Sequence, residues 1–98
     1  EVFFPLAERD DRFHPKAWVI GLEEGGQARA WVFEELEKTG QDVIKDTFDG
    51  RDVFIHYDSE AKSAEILDSD GEPMASTTGF WFAWYAFNPE TTVFEADN

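Results

Sequence analysis

The densest apolar stretch of the chain lies at residues 80–87, where six of eight side chains are aromatic. Thr77 or Thr78 is a suitable N-cap for a helix, and Pro89 ends it because the residue before a proline is pushed out of the helical region. The pattern therefore predicts a helix of two to three turns. A strand is the alternative, since aromatic residues favour pleated surfaces, but three consecutive aromatic residues break the alternation that a half-buried strand shows.

This predicted helix is apolar on more than one face. At helical spacing one face holds Phe80, Trp84 and Phe87, and a second holds Trp81 and Tyr85. A helix that is apolar all round needs cover on several sides, and a domain of 98 residues covers only some of them. We therefore expect Trp81 or Tyr85 to contact another subunit or a neighbouring domain. The alternatives are that these rings belong to the hydrophobic core of the domain or that they stack on sugar rings.

Turn residues divide the rest of the chain into short strands. Gly25-Gly26 and Asp49-Gly50 are signals for tight hairpins, and a change of period predicts a short helix over residues 33–40. The predicted strands are residues 18–22, 28–33, 43–48, 51–57, 63–67 and a last one around 92–94. Both faces of the 51–57 strand are partly apolar, so we expect it to be central. The fold class is a small α+β domain with a curled antiparallel sheet or partial barrel of five to seven strands and one or two short helices.

The domain organisation is simple. Residues 1–12 are predicted to be an N-terminal extended segment, apolar at first and then charged, and residues 13–98 a single domain. The chain begins at Glu1 without a methionine, which indicates a mature chain or an excised fragment, and it shows no signal peptide.

Charge and cysteine content restrict the function. The 22 acidic and 8 basic residues give a formal charge of -14, which argues against nucleic-acid binding because phosphates require clustered Lys and Arg. The acidic excess favours solubility, or alternatively a basic protein partner. No cysteine is present, which excludes thiol nucleophiles and cysteine-based metal sites.

One polar group is a candidate site. His56, Tyr57 and Asp58 lie at the end of a predicted strand, where His56 and Asp58 share a face and would suit a base and the group that orients it. The simpler interpretation is a strand-end histidine hydrogen-bonded to a turn. We predict no catalytic residue, no metal site and no cofactor.

The order of motifs resembles the DUF3179 family, whose members are bacterial and archaeal proteins of unknown function that are typically exported. The resemblance rests on HPKAWVIGL (14–22), ARAWVF (28–33), DTFDGR (46–51) and FWFAWYAFNP (80–89). One branch of the family carries YCPLC after the central strand, which suggests a redox or metal role. Here the matching place reads Tyr57-Asp58-Ser59-Glu60, so that chemistry does not carry over.

Together these points lead us to expect a non-enzymatic structural or protein-interaction domain that is periplasmic, cell-surface or extracellular and has a protein partner, a neighbouring domain or a second copy of itself. An alternative, which the family's cysteine branch implies, is an accessory of an extracytoplasmic electron-transfer assembly. Such an accessory would hold a haem or metal through His14, His56 or carboxylates. A third hypothesis is a carbohydrate-binding module.

Overall fold

Seven strands and two short helices follow one another in residues 12–96, the part of the chain that this computed structural model describes. The elements are β1 (Trp18–Glu24), β2 (Gln27–Val32), α1 (Phe33–Thr39), β3 (Val43–Phe48), β4 (Arg51–Asp58), β5 (Ser63–Leu67), β6 (Thr77–Phe80), α2 (Trp81–Phe87) and β7 (Thr92–Val93). The α+β fold class is confirmed. The extended segment predicted for residues 1–12 lies outside the described residues, apart from Arg12.

The strands form two sheets instead of one. A four-stranded sheet has the order β6-β1-β2-β7, and a three-stranded sheet has the order β3-β4-β5, so β4 is a central strand as predicted. All pairs are antiparallel except β2 and β7, which run parallel. The sheets are curled and do not close into a barrel.

Both predicted hairpins are confirmed, and their turns show why the sequence specifies them. At the β3–β4 turn, Asp49 and Gly50 have φ values of 53° and 76°. Two consecutive positive φ angles are what a type I′ turn requires, and this turn matches the twist of the flanking strands. The predicted short helix is also confirmed, because α1 ends at Gly40, whose φ of 67° is left-handed and whose N–H donates to the carbonyl of Glu37 at 3.1 Å.

The four-stranded sheet is the middle layer of the domain. One of its faces packs on α2 through Val19, Ala30 and Val32, which cluster with two tryptophans of that helix. The opposite face carries Ile20 and Trp31 into a larger core that α1 and the three-stranded sheet complete. Alternate residues of β1 and β2 therefore enter two different cores.

A partly buried polar contact joins the two sheets. Trp31 on β2 is fully buried, and its Nε1–H donates to Oδ2 of Asp46 on β3 at 2.9 Å. Arg29 donates to the same oxygen through Nε at 2.8 Å and to Oγ1 of Thr92 on β7 through a guanidinium N–H at 3.1 Å. One carboxylate thus fixes the position of the three-stranded sheet against β2.

The start of the aromatic helix was predicted wrongly. Thr77 and Thr78 do not cap a helix, because Thr77–Phe80 is strand β6, which pairs with β1. Helix α2 begins only at Trp81 and has no side-chain cap. β-Branched and aromatic residues favour a pleated edge when a strand is available to pair with them. The predicted end is correct, since α2 ends at Phe87, just before Asn88-Pro89.

Candidate functional site

Among the described residues, strand β6 forms an edge of the four-stranded sheet. Within residues 12–96 its one neighbour is β1, in a register that pairs Val19 with Gly79 and Ile20 with Thr78. The N–H of Trp81 donates to the carbonyl of Ala17 at 2.8 Å, which makes those two residues a hydrogen-bonded pair. Hydrogen-bonded and non-hydrogen-bonded pairs alternate along an antiparallel ladder. The N–H groups of Thr78 and Phe80 and the carbonyl of Thr78 therefore point away from β1.

Exposed aromatic rings lie on one side of this edge. Trp18 and Phe80 are directly opposite each other on β1 and β6, with ring centroids 4.6 Å apart, and Trp18 is 48% exposed. Phe82 extends the group, since its ring stacks on Phe80 at 6.1 Å. Trp18 and Phe80 lie on the face that carries Ile20 into the larger core, but Trp18 stays half-exposed there.

A groove lies on the other side of the edge, between β6 and the last turn of α2. Its walls include Gly79, Ala83 and Phe87, with Glu23 also lining it. A Cβ atom built on Gly79 would meet no atom within 4 Å, so the missing side chain leaves open space there. Phe87 is 84% exposed at the rim. We call the free edge of β6, the rings of Trp18 and Phe80 and this groove the β6 edge surface.

The two residues predicted to contact a partner are less exposed than those of the β6 edge surface. Trp81 is 1% exposed and packs with Phe13, whose ring centroid is 5.2 Å away, while Tyr85 is half-buried with its ring 5.5 Å from that of Trp81. Their contact with another chain stays a prediction, but Trp81 offers almost no surface for it. The burial of α2 does not follow the two faces that helical spacing predicted. Trp81 and Trp84 are the buried residues of the helix, and Phe87 points outward.

The residues of the polar candidate site have different hydrogen-bond partners. Tyr57 is buried and its hydroxyl donates to Oε2 of Glu37 on α1 at 2.7 Å. Asp58 accepts the backbone N–H groups of Glu60 and Ala61 through Oδ1, at 3.0 and 3.1 Å, and so holds the turn after β4. None of the hydrogen bonds described for residues 12–96 joins His56 to Asp58. All three predicted residues nevertheless line one shallow acidic cleft, together with Asp42, Glu60 and Glu65.

The contact between β4 and α1 shifts the pKa values of its members. Burial, followed by the hydrogen bond to Glu37, raises the pKa of Tyr57. Glu37 also accepts a hydrogen bond from Lys62, and this bond and the one from Tyr57 lower the pKa of the Glu37 carboxyl. The group therefore consists of a neutral phenol, a carboxylate and an ammonium that satisfy one another, which is a structural arrangement.

The residues considered as ligands of a haem or metal are His14, His56 and carboxylates. Nδ1 of His14 accepts the backbone N–H of Lys16 at 3.0 Å, so one nitrogen of that ring is engaged in a loop. Across residues 12–96, no three His, Asp or Glu side chains come together in a way that could hold a metal ion. Nor does this part of the chain contain a helix that is long and apolar enough to cross a membrane.

A match over most of the sequence shows the family of the chain. A sequence model of the family described as "Protein of unknown function (DUF3179)" matches residues 1–91. The chain belongs to the DUF3179 family. No curated protein and no solved structure is detectably similar to it. Of the motifs that carry the resemblance, residues 14–22 include the start of β1, and residues 80–89 include the end of β6 and α2.

Proposed function

We propose that this DUF3179 domain is a non-enzymatic protein-interaction module that works outside the cytoplasm and docks another polypeptide on the β6 edge surface. The observation that carries the proposal is the exposure of Phe87 and Trp18 on the two sides of a strand edge that is unpaired within residues 12–96. A single exposed aromatic ring needs no explanation, but exposed rings that flank an open edge are typical of an interface. The proposed location follows from the family resemblance, since members are typically exported.

The separate polar groups support a binding role over a catalytic one. Asp58 is engaged in a turn and Tyr57 in a contact between elements, so neither is positioned to act on a bound molecule. General acid–base catalysis needs a titrating group held by a second one within hydrogen-bond reach of the substrate. The described hydrogen bonds of residues 12–96 build no such pair with His56.

The test replaces exposed rings without disturbing the core. Phe87→Ser removes apolar surface at an exposed position, so its melting temperature is expected to stay close to that of the parent. Trp18→Ser also removes the contact with Phe80, so its melting temperature is expected to fall while the variant stays folded. The association of the protein with its native neighbours, measured by sedimentation, is expected to weaken in both variants. Val43→Ser is the matched control, because Val43 is 43% exposed but lies on β3, in the other sheet. Equal binding by all four proteins would contradict the proposal.

Trp18 also favours one second candidate, which is binding of a carbohydrate. An exposed tryptophan face stacks well on a sugar ring, and Trp18 is 48% exposed. Retention of the protein on insoluble cellulose, chitin or xylan, and its loss in Trp18→Ala, is the expected result for that function. If none of the three polysaccharides retains the protein, binding of these sugars is excluded.

A further inference from the structure

The β6 edge surface also indicates how a partner binds, an inference that rests on the proposed function. We infer that the partner supplies an extended, basic segment that adds to β6 as a further strand of the four-stranded sheet. Strand addition is a common way to recognise peptides, because main-chain hydrogen bonds give affinity and alternate side chains give specificity.

The backbone supplies the first argument. Thr78 directs its N–H and carbonyl away from β1, and Phe80 directs its N–H the same way, as the alternation of the β1–β6 ladder requires. A strand placed about 4.8 Å beyond β6 would meet these groups. Long unpaired edges are usually protected by charges, prolines or bulges. The four residues of β6 include no charged residue and no proline.

The side chains supply the second argument. Successive residues of an added strand point to opposite faces of the sheet. On one face they would lie beside Phe80 and Trp18, and on the other they would enter the space that Gly79 leaves open next to Phe87. Both receiving sites are apolar, so the segment is expected to carry an apolar residue on each face.

The negative charge of the chain indicates which kind of segment binds to β6. The chain has a formal charge of -14, and Glu23, which lines the groove, makes no ion pair within residues 12–96. A second copy of the chain would bring the same negative charge to the interface and be repelled. A segment that places Lys or Arg beside its apolar residues is attracted instead, and the attraction weakens with salt.

Two variants block the edge by different means. Thr78→Pro removes an N–H that points away from β1, so the hydrogen bonds of the β1–β6 ladder remain, since edge strands tolerate proline at such positions. Gly79→Leu fills the groove with a side chain whose Cβ meets no neighbour. The matched control is Lys45→Pro. The bond from the N–H of Tyr57 to the carbonyl of Asp42 shows by the same alternation that the Lys45 N–H points away from β4, on the edge strand β3.

The probe is a phage library of random 12-residue peptides selected on the full chain. Selected peptides are synthesised, and their affinities for the parent and for the three variants are measured by calorimetry. We expect net positive peptides with alternating apolar residues that bind the parent and Lys45→Pro equally. Thr78→Pro and Gly79→Leu are each expected to lose about tenfold or more in affinity, and binding to the parent is expected to weaken with added salt.

Three results overturn the inference: a library that yields no binder, binders that both edge variants retain, and binders without net positive charge. A parent that is dimeric in sedimentation but monomeric as Thr78→Pro also overturns it, because the occupant is then a second copy. The proposed function is judged separately. If Phe87→Ser and Trp18→Ser lose the native partner while Thr78→Pro and Gly79→Leu keep it, docking at this surface stands and strand addition does not.

Discussion

At the scale of single residues, Trp84 shows how closely α2 lies on the sheet. A Cβ atom on Gly21 of β1 would come within 2.4 to 2.6 Å of three carbon atoms of the Trp84 ring, so the ring rests on the bare backbone of that glycine. Its Nε1–H donates to Oγ1 of Thr91 at 2.9 Å, which ties the segment after α2 back to the helix. One side chain thus fixes the distance of α2 from β1.

This contact predicts a coupled pair of substitutions. Trp84→Ala is expected to lower the free energy of unfolding by about 3 to 5 kcal/mol, the usual cost of removing a large buried aromatic side chain. Gly21→Ala is expected to cost about 1 to 3 kcal/mol, because the added methyl group pushes the ring away. The double variant is expected to show no added cost from Gly21→Ala, since the ring is gone. Urea unfolding of the four proteins measures the cycle, and strictly additive costs would contradict the contact.

Acid stability depends on the carboxylates of α1. Hydrogen bonds lower the pKa of Glu35, chiefly from Lys38, and that of Glu37, chiefly from Lys62. A carboxyl whose folded-state pKa lies below its unfolded value of about 4.3 adds stability above that value. The contribution is lost as the pH falls through the folded-state pKa. The urea midpoint is therefore expected to decrease below about pH 4.

Glu37→Gln tests the origin of that decrease. The variant is expected to flatten the loss of stability at acidic pH, because its side chain no longer titrates. Glu65→Gln, at an exposed position on β5 without a described ion pair, is the control and is expected to follow the parent. A Glu37→Gln curve parallel to that of the parent between pH 7 and pH 3 would assign the acid sensitivity to other groups.

At the scale of elements, Asp46 joins the two sheets. Asp46→Ala is expected to cost about 1 to 3 kcal/mol, because it leaves the buried Nε1–H of Trp31 without an acceptor. Asp46→Asn keeps an oxygen at that place and is expected to cost less. Denaturant unfolding of both variants provides the measurement. Equal losses of unfolding free energy in the two variants would show that the ion pair of Asp46 with Arg29 matters more than the hydrogen bond from the indole of Trp31.

Local signals explain which elements the sequence predicted correctly. The Asp49-Gly50 turn and the glycine after α1 act within a few residues, so both hairpins and the first helix are readable from pattern alone. Thr77–Phe80 was misassigned because its conformation depends on pairing with β1, more than 50 residues earlier in the chain. The parallel β2–β7 pair and the division into two sheets are also contacts between distant residues.

The candidate site was predicted only in part, for the same reason. The aromatic stretch correctly indicated rings in excess of what a small domain buries, but helical spacing alone placed the outward face at Trp81 and Tyr85. The structure exposes Phe87 and half-exposes Trp18 instead, because Trp84 docks on Gly21 and sets the rotation of α2. The clue to that rotation was Gly21, a residue without a side chain in the middle of an apolar strand.

At the scale of the whole molecule, negative charge dominates the surface. Within residues 12–96, five described ion pairs engage Arg29, Lys38, Lys45, Arg51 and Lys62. Residues 12–96 contain 17 of the 22 acidic residues of the chain, so most of their carboxylates lie outside these pairs. Their mutual repulsion destabilises the folded state and is screened by salt.

The melting temperature is therefore expected to be higher in about 0.5 M NaCl than at low ionic strength. Sodium chloride and potassium chloride are expected to act alike, because screening depends on ionic strength. A melting temperature that does not change with salt would show that the carboxylates are dispersed well enough not to repel one another.

Photo-crosslinking in cells that make the protein tests the central claim, docking of a polypeptide on the β6 edge surface, most directly. Benzoylphenylalanine is placed at Phe87, which is 84% exposed beside the groove, and at Val43 in the other sheet as the control. We expect an adduct with a polypeptide from position 87 that decreases when Trp18→Ser is added, and no such adduct from position 43. No adduct from position 87, or the same adduct from both positions, would contradict the account.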